Sequence, residues 1–304
     1  MLPEKRVGVP VLFLVFNRPE LTRRVWRVLR MIRPERLYVA ADGPRAGNAA
    51  DFRNCAGTRR IVQQLDWPCD VKYRFLEKNY GCRRAVSSAI DWFFSEVEEG
   101  IILEDDCLPC REFFSFCAEA LKNYRHDARV MHVNGTVHFS PETSDFDAWF
   151  SRYAFVWGWA SWRRAWKMYD PVLLNYPFDR LSGCFPDAAV KERWDELLRN
   201  TQAGKPGFDD TWAFQWSAAL FANGGLAVSP RRSLIRNIGL DSGTHEMPDC
   251  PEVSFDGISV FSGGRIRFPP VAEADAAADA LTFDRIYRKK ALPVRIADKL
   301  RKVL

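Results

Sequence analysis

The chain has no apolar run longer than VPVLFLVF, residues 9–16 of 304, and that is far short of the roughly 18–20 residues a membrane-spanning helix requires. It contains no G-x-G-x-x-G and no G-x-x-x-x-G-K-[ST], so neither a dinucleotide fold nor a P-loop NTPase is supported. No period of 20–50 residues repeats, and no low-complexity tract stands out. The opening MLPEKRVG is charged and leads into no cleavable signal pattern, so a cytoplasmic protein is expected. The eight cysteines offer one C-x-x-C, Cys107 and Cys110, with Pro109 inside it. No second C-x-x-C and no histidine pair at finger spacing accompanies it. Reduced thiols are therefore the expectation over zinc or a disulfide framework.

Positive charge is present but unevenly placed. The net charge is +5, and the stretch 285–304 carries eight Lys/Arg against one Asp. After Pro293, the residues Ile296, Leu300, Val303 and Leu304 share one helical face, with Arg295, Lys299, Arg301 and Lys302 around it. Two readings stay open for this basic amphipathic helix: an anionic membrane surface, with peripheral attachment at the inner face of the cell membrane, or packing on its own domain. Nucleic acid is not expected, because the basic excess is terminal and lacks interleaved base-stacking aromatics.

At 47% hydrophobic, the chain can bury one large α/β domain or two small ones. Its first 135 residues alternate apolar strands (10–16, 36–41, 70–75, 100–104, 130–135) with amphipathic helices (19–31, 51–66, 83–97, 111–125). Continuous apolar strands separated by helices predict an α/β fold with a mostly parallel central sheet and helices on both faces. In such sheets ligands bind beyond the carboxyl ends of the strands. There the sequence places Asn17-Arg18-Pro19, Asp42-Gly43-Pro44, LEKNYGCRRA (76–85) and Glu104-Asp105-Asp106, and four polar strand ends on one edge predict a polar pocket. Farther on, a helix is expected around 187–202, short strands near 226–236, and an Ala/Asp-rich surface connector between 270 and 283.

Three adjacent carboxylates at the end of an apolar strand repel one another unless positive charge meets them. A hard divalent cation, Mg²⁺ or Mn²⁺, suits them, since it takes one or two carboxylates and completes its shell with water and substrate phosphates. Arg18, Arg83 and Arg84 would then face the phosphates of a nucleotide diphosphate. The alternative is a solvated acidic turn opening a helix. Asp209-Asp210, after the Gly-Pro-Gly run of a loop, suit a base near an acceptor hydroxyl, with Phe208 and Trp212 excluding water, or an ordinary N-cap pair. Trp157, Trp159 and Trp162 are candidates for stacking on sugar rings or for the core. His245 in SGTHE is a metal or phosphate ligand, or a surface histidine.

Four of these segments carry a family resemblance. VFNRPELTRRVWRVLRMIRPERLYVAADG resembles the start of the catalytic domain of eukaryotic N-acetylglucosaminyltransferase I, an inverting enzyme. IILEDDCLPCREFFSF resembles that family's Glu-Asp-Asp motif, YAFVWGWASWRRAW its Gly-Trp segment and FDDTW its Trp-Asp-Asp-Trp segment, in the same order over roughly residues 9–245. The resemblance implies a GT-A glycosyltransferase of bacterial type, catalytic over 1–250, with a nucleotide-sugar half at 1–135, an acceptor half at 136–250 and an extension at 251–304. It implies that Arg18, Asp42 (at uracil) and Glu104 bind a nucleotide-sugar, a UDP-sugar being favoured, and the strand-end placement adds Asn17, Arg83, Arg84 and Asp105 to that set. It implies Asp106 as the Mn²⁺ ligand and Asp209 as the catalytic base, with Asp210 the fallback. Phe208 stands where the family has Trp, and 171–207 is longer here. A glycan or lipid-linked saccharide is the implied acceptor, in surface-polysaccharide synthesis. Two other functions would use a related pocket: a sugar-1-phosphate nucleotidyltransferase, which NRPE in place of a Gly-rich loop disfavours, and an inactive nucleotide-sugar-binding protein.

Overall fold

The computed structural model describes residues 7–138, 145–173, 176, 188–205, 210–239 and 266–288. Strand β1 (Val11–Val15) is apolar throughout and buried throughout, because it has a helical layer on either side. Pro19, which has no N–H to leave unpaired, opens α1 (Pro19–Ile32), and Arg33 closes it in the left-handed conformation at φ 54°. β2 (Arg36–Ala41) leads through an Asn48 cap, whose side chain accepts from the Ala50 and Asp51 N–H groups, into α2 (Ala49–Val62). β3 (Asp70–Phe75), α3 (Gly81–Glu96) and β4 (Glu99–Glu104) continue the alternation. Then come the short β5 (Cys107–Pro109), α4 (Arg111–Asn123), β6 (Val130–Asn134), β7 (Ala148–Ser151), β8 (Trp159–Trp162) and a single turn, α5 (Arg163–Trp166). α6 (Ala188–Gln202), α7 (Ala213–Ala222), β9 (Leu226–Pro230), β10 (Ile235–Asn237), α8 (Ala276–Thr282) and a π-helical turn at Phe283–Tyr287 complete the described elements.

The main sheet has eight strands in the order β3-β2-β1-β4-β8-β6-β9-β7, and β10 pairs with β5 alongside. β3, β2, β1 and β4 are parallel, as are β6 and β9. Period-two alternation sorts their side chains: Val11, Phe13, Leu37, Val39, Ile101 and Leu103 meet α1, α2 and α4, whereas Leu12, Leu14, Tyr38, Ala40 and Ile102 meet α3, α6 and α7. The expected α/β architecture with helices on both faces is thus present. Two strands depart from the parallel run. β8 inserts antiparallel between β4 and β6, and β7 is antiparallel to β9. The stretch 270–283 also differs from a surface connector. Asp275 caps α8, and Asp279 turns inward to accept from the Arg152 N–H at 3.1 Å and from the Ser151 hydroxyl, tying α8 to β7. No helix among the described residues is long and apolar enough to cross a membrane.

β8 explains the fate of two tryptophans. Trp159 is fully buried and stacks on His132 at 4.9 Å and on Trp212 at 5.6 Å. Both indoles are core, not platforms for sugar, because β8 is a central strand and Trp212 folds onto it. His132 sits inside this aromatic group with a fixed tautomer. Its Nδ1 accepts from the Trp216 indole N–H at 3.0 Å, so Nε2 carries the proton donated to the Phe155 carbonyl at 3.1 Å. Burial drives its pKa down to about 3.

The unfolded chain, with His132 near pH 6.5, binds a proton between about pH 6.5 and 3 that the folded chain refuses. Stability from this site is therefore present above pH 6.5 and lost on acidification, at about 1.4 kcal/mol per pH unit. His132→Gln keeps a donor and an acceptor without titrating. Between pH 7 and 5 the wild type should lose about 2 kcal/mol more than this variant in urea unfolding. Parallel acid slopes would refute the assignment.

Candidate functional site

The strand order reverses between β1 and β4: β2 and β3 extend to one side of β1, and the chain then returns to add β4 on the other. Beyond the carboxyl ends of these strands lies a cavity of about 480 Å³. Asn17 and Arg18 after β1, Asp42 after β2, Glu104 and Asp105 after β4, and Asp210 just before α7 line it. These are six of the residues singled out in sequence. Its walls also hold Arg45, Arg74, Asn79 and Cys82, which the sequence reading did not single out individually.

What meets the three carboxylates is Arg18. The β1–β4 register sets Leu14 beside Glu104, which brings the turns after the two strands together. Arg18 then pairs with Asp105 through Nη2, and with Asp106 through Nη1 at 2.9 Å. Asp105 is buried and also accepts from the Phe16 N–H at 3.4 Å. Burial, with Asp106 and Asp105 beside it, pushes the Glu104 carboxyl up to about 8. Burial raises Asp105 to about 6, against the pull of Arg18. One guanidinium serves three acidic groups, which leaves the strand end short of positive charge at neutral pH.

Asp42 is a knot between loops. Its Oδ1 accepts from the Gly43 N–H at 2.8 Å and the Tyr80 N–H at 3.0 Å, and its Oδ2 from the Asn79 amide at 2.8 Å. It joins the loop after β2 to the one before α3, so one wall of the cavity depends on it. Asp51, at the start of α2, holds two further lining residues: it accepts from the Asn17 amide at 2.7 Å and from Arg45 Nη2 at 2.9 Å. Arg45 in turn holds the Asp51 carboxyl well below the usual range. Arg74 reaches the Ser88 hydroxyl at 3.2 Å with Nη2, while its buried Nη1 has no acceptor. That donor, on a residue lining the cavity, gives it positive charge available to an anion.

Asp210 arrives from the other end of the chain. Its Oδ1 accepts the Arg83 N–H at 3.1 Å at the start of α3, where Gly81 holds φ 76° and a Cβ would sit 3.0 Å from the same oxygen. The expectation that Arg83 and Arg84 face the cavity is corrected here. Neither lines it: Arg83 supplies its backbone N–H, and Arg84 is exposed on the first turn of α3. Trp157 is half-buried and edge-on to His138 at 5.9 Å, also away from the cavity. Asp106 lies behind the lining, against Gly239, where a Cβ would come within 2.7 Å of its Oδ2. Phe208, Asp209, His245 and the tail 289–304 lie outside the described residues.

Among the described residues no three His, Cys, Asp or Glu side chains converge as a ready metal cage. The donor set at the β4 end nevertheless fits a hard cation that shares its shell with a ligand, because carboxylate oxygens there are held in place by a single exchangeable guanidinium. Arg18→Ala should then raise the affinity for Mn²⁺ alone and weaken nucleotide binding by about tenfold, the worth of one charge-assisted hydrogen bond. Isothermal titration of each ligand separately checks both signs, and a parallel fall in both affinities would contradict this arrangement. No protein-family model matches the chain, and neither does any curated protein.

Proposed function

We propose that the protein is a metal-dependent glycosyltransferase of the GT-A fold that moves a sugar from a nucleotide-diphosphate donor, a UDP-sugar by preference, to a hydroxyl. One observation supports this reading: a single cavity at the β1–β4 reversal gathers Glu104, Asp105, Arg18, two further arginines and a carboxylate from a distant loop, with Arg18 tying Asp105 to Asp106 behind the lining. The volume of about 480 Å³ is of the size that takes a small ligand.

Mg²⁺ or Mn²⁺ held by Asp106, with Asp105 and Glu104 beside it, would supply charge to a departing diphosphate. Arg18, released from the carboxylates, would turn its fork to the phosphates, and Arg45 and Arg74 would add charge at the cavity wall. Glu104, in the cavity lining, would meet the donor sugar. Asp209 or Asp210 would take the acceptor proton, giving inversion at the anomeric carbon. An acceptor that is a glycan or lipid-linked saccharide at the inner face of the membrane accords with the basic sequence of 285–304.

The test is release of free nucleotide from UDP-GlcNAc, UDP-galactose and UDP-glucose, with and without Mn²⁺, over a panel of saccharide acceptors. Metal-dependent release from one of them is the expected result. Metal-dependent UDP binding with no turnover of any donor would mark a binding protein instead.

A further inference from the structure

α1 and α2 pack side by side on the sheet face opposite α3, and the groove between them is not apolar. It encloses about 330 Å³, with Arg23, Arg27 and Arg30 on one side, Arg60 and Gln64 on the other, and Trp26 among the lining residues. No acidic residue lines it. Arg23 pairs with Glu20 and Arg30 with Asp66, and both carboxylates lie outside the lining, on exposed surface. Arg27 and Arg60 form no ion pair among the described residues. Four guanidinium groups thus converge on a small concave space with only two of them neutralised.

A second, independent feature lies at the same place. Trp26 is 2% exposed, stacks on Phe13 and tilts against Trp67, and its buried indole nitrogen has no acceptor. Indole N–H is a donor only, so this group lacks an oxygen. Gly57 faces Pro19 at one end of the groove, where a Cβ would make an ordinary van der Waals contact with the proline ring at 3.8 Å. The lining shares no residue with the strand-end cavity.

We propose that the α1–α2 groove is a second binding site, which takes a phosphate group. Planar guanidinium forks match the paired oxygens of phosphate, and a multivalent oxyanion neutralises several arginines at once, as a lone carboxylate cannot. A phosphate free in solution and one carried on a lipid headgroup share this chemistry.

The full chain would be titrated calorimetrically with inorganic phosphate and pyrophosphate, and sedimented with phosphatidylcholine vesicles with and without phosphatidic acid. The double variant Arg27→Ala/Arg60→Ala removes only exposed side chains, and an unchanged unfolding midpoint would show that it folds. Binding of phosphate, or of the phosphatidic acid vesicles, should weaken by about tenfold or more in this variant. Arg18→Ala, which alters the strand-end cavity instead, should lose only the pyrophosphate bound there and keep the binding that Arg27→Ala/Arg60→Ala removes. Loss with the soluble ions identifies a free phosphate site, and loss with the vesicles alone identifies a headgroup. Equal binding by wild type and double variant, or no binding of either probe by the wild type, overturns the proposal.

Discussion

Replacing Asp209 and Asp210 singly by asparagine should divide binding from turnover. One of the two variants should lose about 10²–10⁴-fold in sugar transfer, the contribution of a positioned general base, while its affinity for UDP changes little. Asparagine is the informative substitution because it keeps the acceptor oxygen and removes only the charge. Asp210 uses Oδ1 to cap α3 through the Arg83 N–H, and asparagine caps a helix about as well as aspartate. A loss in Asp210→Asn therefore cannot be assigned to a frayed α3. The structure brings Asp210 to the cavity, and Asp209 lies outside the described residues. The resemblance points first to Asp209. If neither variant slows transfer, the assignment of a base to this pair fails.

Gly43→Ala should be the most damaging single methyl group near the site. A Cβ at Gly43 would lie 2.4 Å from the carbonyl carbon of Lys78 and 2.6 Å from its nitrogen. These are backbone atoms, so no side chain can swing aside. The Asn79 amide also bonds to the Gly43 carbonyl at 3.0 Å, which holds the two loops at that separation. Relief requires the loops after β2 and β3 to part, and that breaks the Asp42 bonds to Tyr80 and Asn79. We expect a loss of about 3 kcal/mol in urea unfolding, together with weakened nucleotide binding as the cavity wall shifts. Gly47→Ala is the control. Gly47 has φ 72° but open space around it, so alanine there costs only about 1 kcal/mol of backbone strain. Equal midpoints for the two variants would contradict the close-approach account.

Much of the N-terminal half was legible because its physics is local. β2 and β3 fall on the predicted 36–41 and 70–75, since an apolar run such as RLYVAA and an alternating one such as DVKYRF, each bounded by turn residues, have few other ways to fold. Asn17, Arg18, Asp42 and Glu104 then follow from the rule that parallel strands end on one edge. The antiparallel β8 was not legible. YAFVWGWASW has no alternation, and its tryptophans suggested sugar stacking; that a strand enters between β4 and β6 depends on partners far off in sequence. His132 was hidden for a similar reason, since its partners Phe155 and Trp216 lie 23 and 84 residues away. Arg83 and Arg84 were misplaced because a strand-end argument fixes where α3 begins and leaves its rotation open.

The direct test of the central claim is calorimetric titration of UDP, and then GDP, with and without Mn²⁺, into the wild type and Asp106→Ala. The account predicts metal-dependent UDP binding by the wild type and its loss, by at least about tenfold, in the variant, because removing one carboxylate leaves the β4 end without its metal ligand. Equal and metal-independent binding by both proteins would contradict it and return Glu104-Asp105-Asp106 to an acidic turn whose one cation is Arg18.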